Sequence, residues 1–216
     1  MSLSSPTEKK KKPKKTEIPE SIDEETPQLP DFPIIFNMGE ESRQPKEKIR
    51  AIGLYGTIKE DVCAEIVYSL IVLDKTGKNV DHEDPEDPNS KEIISYEPIE
   101  LIISSHGGSA SDMFSVYDMM RDIRDRCEIE TVGLGKVMSA AVLLLAAGTK
   151  GKRRIGQHCR VMIHGVVSGQ HGHISDLENE VEEAKWTQQQ SIRALSKETN
   201  MAQKYIKKLI DKKMNV

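Results

Sequence analysis

The stretch Ile99-Glu-Leu-Ile-Ile-Ser104, followed at once by His106-Gly-Gly108, decides the fold of this chain. The first six residues form an apolar run of the length of a buried strand, and the glycine pair ends that run sharply. A helical pattern over residues 110–125 follows, with apolar residues three and four positions apart. A second apolar strand comes next, Glu130-Thr-Val-Gly-Leu134. Strand, helix and strand in this order predict a β-α-β unit of a parallel sheet.

The same alternation extends in both directions from this unit. Upstream, Ala51-Ile-Gly-Leu-Tyr55 predicts a buried strand, and the spacing of apolar residues predicts a helix over 60–73. Downstream, Ser139 to Ala147 reads as an almost entirely apolar helix, and Arg160-Val-Met-Ile-His164 as a strand that ends in histidine. The remaining predicted elements are a long charged helix and a shorter one, over 175–198 and 202–213. We therefore expect an α/β fold with a mostly parallel sheet.

The N-terminal quarter of the chain differs in composition from the rest. Residues 1–48 hold seven of the ten prolines, with a basic block from Lys9 to Lys15 and an acidic block from Glu17 to Glu25. A segment with so few aliphatic side chains cannot offset the entropy lost on ordering. We expect a disordered tail over 1–48 and one domain over 49–216. The apolar island Phe32-Pro-Ile-Ile-Phe36 either docks on a partner or on the domain, or is a short apolar stretch in a tail.

Composition also excludes several classes of protein. The formal net charge of −4 gives no indication of nucleic-acid binding. No apolar run approaches the roughly 18 residues of a membrane span, and the lysines near the start do not lead into a signal peptide. The three cysteines lie far apart, which argues against a disulfide framework and for a reducing, cytoplasmic location. The proline-punctuated acidic stretch 81–92 predicts a solvated surface loop rather than a calcium site.

Four residues near the ends of predicted strands could carry chemistry, since loops that leave one edge of a parallel sheet converge on one crevice. Gly107 lacks a Cβ atom, so its N–H could approach a developing oxyanion. Ser139 begins the apolar helix, and the N–H of Ala140 is an unpaired donor of its first turn. His164 ends a strand in the next unit and could act as a base for a serine nucleophile.

Each of these residues also has an ordinary structural interpretation. A glycine pair is often a simple turn, a serine at a helix start is often an N-cap, and a histidine at a strand end is often only hydrogen bonded. The histidines at 158, 171 and 173 lack the spacing of zinc ligands, so neither a metal nor another cofactor is expected.

The chain from about Ala51 to Met214 nevertheless resembles the proteolytic subunits of the Clp protease family. The segment from Gly135 to Arg153 resembles the family's nucleophile helix and the turn after it. The strand that ends at His164 and the segment Ile102-Ile-Ser-Ser-His-Gly-Gly108 are similar to its histidine strand and its oxyanion segment. Residues from Gly165 to Trp186 resemble the start of its handle.

The resemblance implies a ClpP/crotonase-like spiral of β-α-β units with a protruding strand-helix handle at about 165–200. It implies a serine endopeptidase with Ser139 as nucleophile, His164 as base, and the N–H groups of Gly107 and Ala140 as oxyanion hole. It also implies a homo-oligomer, a ring of seven chains or two such rings paired through the handles, on which an AAA+ Clp ATPase docks to deliver unfolded proteins. A strand at Val166 to Gly172 would hold the substrate backbone.

The sequence departs from the family pattern at three places. His106 stands where the family usually has proline, and the acidic stretch 81–92 lengthens the connection before the strand at Ile99. The family's triad aspartate, counted without gaps, falls near Lys213, and Asp211 is the only acidic residue after position 200. Either the chain is shortened at its C-terminal end or it lacks that aspartate, which would lower turnover by about 10⁴-fold.

Three hypotheses follow for the function. The first is a peptidase subunit of an ATP-dependent protease. The second is a catalytically inactive ring subunit of the same fold, which the missing aspartate favours and the pair Ser139 and His164 disfavours. The third is a crotonase-like acyl-CoA enzyme, which shares the spiral and a glycine-rich oxyanion hole but typically uses acidic residues.

Overall fold

The computed structural model describes residues 48–169 and 171–212. The predicted tail, with its lysine block and its apolar island, lies outside the described residues except for Lys48. The helices are α1 (Glu60–Thr76), α2 (Ala110–Ile123), α3 (Ala140–Ala146), α4 (Ile174–Glu198) and α5 (Gln203–Lys212). The strands are β1 (Ala51–Ile58), β2 (Lys78–His82), β3 (Glu92–Tyr96), β4 (Ile99–Gly108), β5 (Ile129–Met138), β6 (Arg153–Ile155) and β7 (Arg160–Met162).

Five strands form one parallel sheet. Its order is β1-β4-β5-β6, and β7 pairs with the C-terminal part of β5, beyond the part that pairs with β6. Every pairing in this sheet is parallel, and helices α1 and α2 make the crossovers between its strands. The predicted α/β class with a parallel sheet is therefore confirmed.

The core lies between the sheet and the helices on it. Alternate residues of β4 from Ile99 to Ile103 are completely buried, as expected for a central strand that turns one face to the helices. α1 buries Ile66 and Leu70 at helical spacing, and α3 buries nearly all its residues. Each fully buried side chain of this size contributes about 1.5–3 kcal/mol to stability.

A hairpin occupies the region that the sequence predicts as a polar surface loop. β2 and β3 pair antiparallel, with Val80 opposite Ile94, and only residues 83–91 form the connection between them. The prediction of a loop over 81–92 is therefore wrong at both ends of that stretch. Apolar patterning could not find these strands, because both are exposed and are held by backbone pairing rather than by burial.

Two smaller differences concern strands near the site. β6 was not predicted, since it spans only three residues, and the predicted strand that ends at His164 stops two residues earlier, at Met162. The predicted strand at 166–172 does not form over residues 166–169 and 171–172. Val167 is 84% exposed, and within the described chain no neighbouring strand offers this segment a hydrogen-bond ladder.

A buried glutamate joins the end of α4 to α2 and to β6. Glu198, at the end of α4, accepts hydrogen bonds from Tyr117 Oη at 2.8 Å, Arg121 Nη1 at 3.1 Å and Arg124 Nη1 at 2.6 Å. Burial opposes ionisation of this carboxyl group, but the bonds from Arg124 and Tyr117 outweigh it and lower the pKa of Glu198. Its backbone carbonyl accepts from Arg153 Nη1 at 2.7 Å.

The same arginines close the C-terminal end of α3. Arg124 Nη1 donates to the carbonyl of Ala147 at 2.7 Å, and Arg153 Nη1 to the carbonyl of Ala146 at 3.0 Å. The last carbonyls of a helix have no partner inside the helix, and cations there are favourable. Helix α3 is therefore fixed at its far end by the Glu198 network.

The cysteines behave as packing residues. Cys63 and Cys127 are buried, Cys159 is half-buried, and all three are free thiols. Burial raises the pKa of the Cys63 thiol to about 11, so at neutral pH it stays protonated. In the part of the chain that the structure describes, no helix is long and apolar enough to cross a membrane.

Candidate active site

The four residues predicted from strand ends line one cavity of about 390 Å³. Its walls come from the ends of β1 and β4, the starts of α2 and α3, the segment after β7, and helices α4 and α5. Convergence at the carboxyl edge of the sheet is what a parallel α/β topology dictates. The structure thus brings together Gly107, Ser139, Ala140 and His164.

Ser139 has an unusual backbone conformation. Its φ is +56° and its ψ is −126°, and among the described residues it is the only one other than glycine with a positive φ. Such a conformation costs a residue with a Cβ atom about 1–3 kcal/mol and persists only where the surroundings impose it. Here β5 ends at the preceding residue, and the N–H of Ser139 donates to the carbonyl of Met162 at 2.9 Å.

The side chain of Ser139 does not cap the helix that it begins. No helical N–H donates to its hydroxyl within the described contacts, although the residue occupies the N-cap position of α3. The backbone carbonyl of Ser139 accepts from the N–H of Val142 at 3.1 Å, so the first turn is formed without the side chain. Ala140 is the first residue of α3, where an N–H has no partner within the helix. Ser139 and Ala140 both belong to the lining of the cavity.

His164 has one ring nitrogen engaged. Its Nδ1 lies 2.6 Å from the carbonyl oxygen of Gly165. A carbonyl can only accept, so Nδ1 carries a proton, and in the neutral ring Nε2 keeps its lone pair. This is the tautomer that a general base for a serine hydroxyl needs. No hydrogen bond joins the ring to the Ser139 hydroxyl in the described structure, and such contacts are often long before substrate binds.

Gly107 lies against the nucleophile candidate. Its φ is +97°, and a Cβ atom there would come within 2.6 Å of the Cβ of Ser139 and 2.8 Å of the carbonyl oxygen of Met138. Glycine is therefore required at this position by both conformation and space. The N–H of Gly107, however, donates to Ser105 Oγ at 3.0 Å.

Ser105 is a site residue that sequence reasoning missed. Its completely buried hydroxyl accepts from Gly107 and donates to the carbonyl of Gly56 at 2.6 Å, which fixes the glycine turn to β1. The N–H of Ser109 also faces β1, since it donates to the carbonyl of Ile58 at 2.9 Å. Gly107 and Gly108 both have positive φ, so the end of β4 departs from regular strand geometry between these two contacts with β1. A serine two residues before the first glycine of the pair was the available signal.

The structure does not bring Asp211 to the histidine. Asp211 is exposed on α5 and is absent from the cavity wall, to which the same helix contributes Ile206 and Ile210. Among the described residues that line the cavity, none carries a carboxylate. The described ranges also contain no group of three or more histidine, cysteine or acidic side chains arranged to hold a metal ion.

Comparisons with known proteins agree with this architecture. Residues 91–216 match the family model described as Clp protease. The chain is 33% identical over 166 residues to ATP-dependent Clp protease proteolytic subunit 1 of Prochlorococcus marinus, which covers 77% of this chain and 74% of that protein. It is 34% identical to proteolytic subunit 2 of Corynebacterium jeikeium, over 72% of this chain and 67% of that protein.

A third relative has a similar relationship to the chain. The proteolytic subunit of Carsonella ruddii is 34% identical over 153 residues, which cover 71% of this chain and 69% of that protein. The family match over residues 91–216 begins before β3 and includes Gly107, Ser139, Ala140 and His164. The chain therefore belongs to the Clp protease family.

Proposed function

We propose that the chain is a serine endopeptidase subunit of a Clp-type, ATP-dependent protease, with Ser139 as nucleophile and His164 as general base. The observation that carries the proposal is the conformation of Ser139. Its strained backbone and its hydroxyl, which caps no helix, lie at a cavity that also contains an imidazole whose Nδ1 is engaged by a backbone carbonyl. Strained residues of this kind cluster at active sites.

The reaction would follow the chemistry of serine acyl transfer. Nε2 of His164 takes the hydroxyl proton as Ser139 Oγ attacks the scissile carbonyl, and then returns that proton to the leaving amine. A water molecule, activated by the same nitrogen, hydrolyses the acyl-enzyme. The carbonyl of Gly165 keeps the proton on Nδ1 during both steps.

The oxyanion would be held by backbone donors on two sides of the cavity. Ala140 N–H is one donor, and the turn at Gly107 and Gly108 supplies the other. Gly107 can serve only after it releases Ser105 Oγ, whereas Gly108 N–H is not directed at that hydroxyl. Replacement of Ser105 by alanine separates these two options, because it frees the N–H of Gly107 at the cost of a looser turn.

The test of the nucleophile is covalent labelling with a fluorophosphonate or a β-lactone. We expect rapid labelling of one serine, its complete loss in Ser139→Ala, and a fall on the order of 10³-fold in His164→Ala with an unchanged circular-dichroism spectrum. Asp211→Asn should label at the rate of the unchanged chain. Labelling that persists in Ser139→Ala would overturn the assignment.

A non-catalytic ring subunit is the second candidate, and one observation favours it. No carboxylate lines the cavity among the described residues, so the imidazolium formed during attack has no anionic partner there. This candidate predicts no labelling at Ser139 in a correctly folded chain. The acyl-CoA enzyme hypothesis has no comparable observation in its favour.

We also propose that the chain assembles into rings of seven, singly or in pairs, that receive unfolded proteins from an AAA+ ATPase. The handle helix α4 exposes Leu177 (36%), Val181 (51%) and Trp186 (55%), which suits a contact with another subunit. Ile192 of the same helix is buried in the core and lines the cavity. Native mass spectrometry that finds only a 24.3 kDa monomer would contradict assembly.

A further inference from the structure

His106 places a second imidazole on the wall of the same cavity. The residue ends the apolar part of β4, immediately before Gly107, and its ring remains exposed at the mouth. Nε2 of His106 lies 3.1 Å from Oγ1 of Thr57 at the end of β1, and Thr57 also belongs to the cavity lining. The ring is therefore held at one nitrogen by the protein. Nδ1 has no hydrogen-bond partner among the described residues and can donate when the ring carries two protons.

The electrostatic surroundings of this ring are unusual for an active-site cleft. Among the described residues, only two titratable side chains line the cavity, those of His106 and His164. This lining includes no aspartate, glutamate, lysine or arginine. A carboxylate on a bound substrate would consequently meet no competing acidic side chain on the described wall when it approaches His106.

The rest of the wall determines which substrate could bring that anion. The inner wall is apolar and includes Met113, Leu143 and Ile192, so it suits an apolar side chain. Gly107, the next residue, lies against Ser139, so His106 is one residue along the chain from a direct neighbour of the nucleophile candidate.

We propose that His106 is a specificity-determining residue that binds a substrate carboxylate, so that the site prefers polypeptides with an acidic residue beside an apolar one. This inference rests on the proposed peptidase function. It adds a substrate class that neither the apolar wall nor the Ser139–His164 pair would select. Because the ring is exposed, the gain is modest, about three- to fivefold in affinity for the acidic peptide.

The test measures binding without turnover. In the Ser139→Ala chain, fluorescence anisotropy compares two labelled hexapeptides that are identical except for glutamate or glutamine next to a central leucine. We expect the glutamate peptide to bind about three- to fivefold tighter than the glutamine peptide. The ratio should fall to about one in Ser139→Ala/His106→Ala and in Ser139→Ala/His106→Gln.

The control variant is Ser139→Ala/His158→Ala, which removes an exposed imidazole that is not part of the cavity wall and should keep the full ratio. An unchanged ratio without His106 would overturn the inference, and so would equal binding of the two peptides or no binding of either. Circular dichroism confirms that each variant is folded. Failure of the peptidase proposal itself is distinguishable, because it appears as absent labelling of Ser139 in the unchanged chain.

Discussion

Ser109 and Ser139 begin the two helices whose first turns line the cavity, and each follows a strand of the sheet directly. Ser109 has a φ of −59°, and its hydroxyl accepts from the N–H of Asp112 at 3.3 Å, so it caps α2. Ser139 has a φ of +56°, and its hydroxyl caps nothing in the described structure. A serine at the N-cap position therefore caps the helix in α2 but not in α3.

The difference arises from where each turn places its unusual backbone conformation. Before α2 the positive φ angles fall on Gly107 and Gly108, so the serine that follows can adopt a relaxed cap. Before α3 the positive φ falls on the serine itself. The combination of φ near +60° and ψ near −120° is that of a turn position where glycine is normally found. A side chain held there is turned out of the helix, toward the cavity.

The largest effect on stability is expected at the C-terminal end of α3. α3 has no side-chain cap at its start, and its last carbonyls depend on arginines that are held by Glu198. Glu198→Gln leaves the partly buried guanidinium groups of Arg121 and Arg124 without a full counter-charge. We expect the free energy of unfolding to fall by about 3 kcal/mol, measured by urea denaturation. The control is Glu128→Gln, which breaks an exposed pair with Lys152 and should cost less than about 1 kcal/mol.

This contribution should depend on pH in a defined direction. The folded chain holds the pKa of Glu198 below the ordinary glutamate value of about 4.3, so the unfolded chain binds the proton more tightly. The stabilisation is complete above about pH 5 and is lost as the pH falls through the lowered pKa of the folded state. The difference in unfolding free energy between the unchanged chain and Glu198→Gln should shrink over that acidic range. A difference that stays constant down to pH 3 would contradict this account.

The next effect concerns the glycine that touches Ser139. In Gly107→Ala the new methyl group would meet Ser139 Cβ and the carbonyl of Met138, so we expect the rate of fluorophosphonate labelling to fall on the order of 10²-fold. Gly151→Ala is the matched control, because Gly151 also has a positive φ, +87°, but its Cβ position is open. Both variants carry a similar backbone cost of about 1 kcal/mol. Equal labelling by the two variants would show that the close approach to Ser139 does not matter.

The smallest expected effects are changes in the free energy of unfolding when either serine is replaced, and these two changes have opposite signs. Ser139→Gly removes the strain of a positive φ and should raise the free energy of unfolding by about 1 kcal/mol, although activity is lost. Ser109→Ala removes a cap and should lower the same quantity by about 1 kcal/mol, with labelling of Ser139 retained. Thermal unfolding followed by circular dichroism measures both. Destabilisation by Ser139→Gly would mean that the hydroxyl has a structural partner after all.

Sequence reasoning could predict the parts of this molecule that burial determines. The alternation of buried strands and helices located the parallel sheet, and the sheet brought Ser139 and His164 to one cavity as expected. It could not predict the hairpin β2–β3, which is held by backbone pairing, or the engagement of Gly107 N–H by a neighbouring hydroxyl. It also missed Glu198, because its partners are 74 to 81 positions away along the chain. The roles of the site residues remain predictions.

The bond between the N–H of Ser139 and the carbonyl of Met162 has a consequence for the motions of this site. Parallel pairing of β5 with β7 runs to Met138 opposite Met162, so the backbone that carries Ser139 is tied to a point two residues before His164. A shift of either strand therefore moves the other strand with it. The relative position of the Ser139 and His164 side chains is thus maintained during slow motions of the sheet. The amide proton of Ser139 should accordingly exchange with solvent more slowly than that of Val167, which faces water in the loop just beyond the histidine.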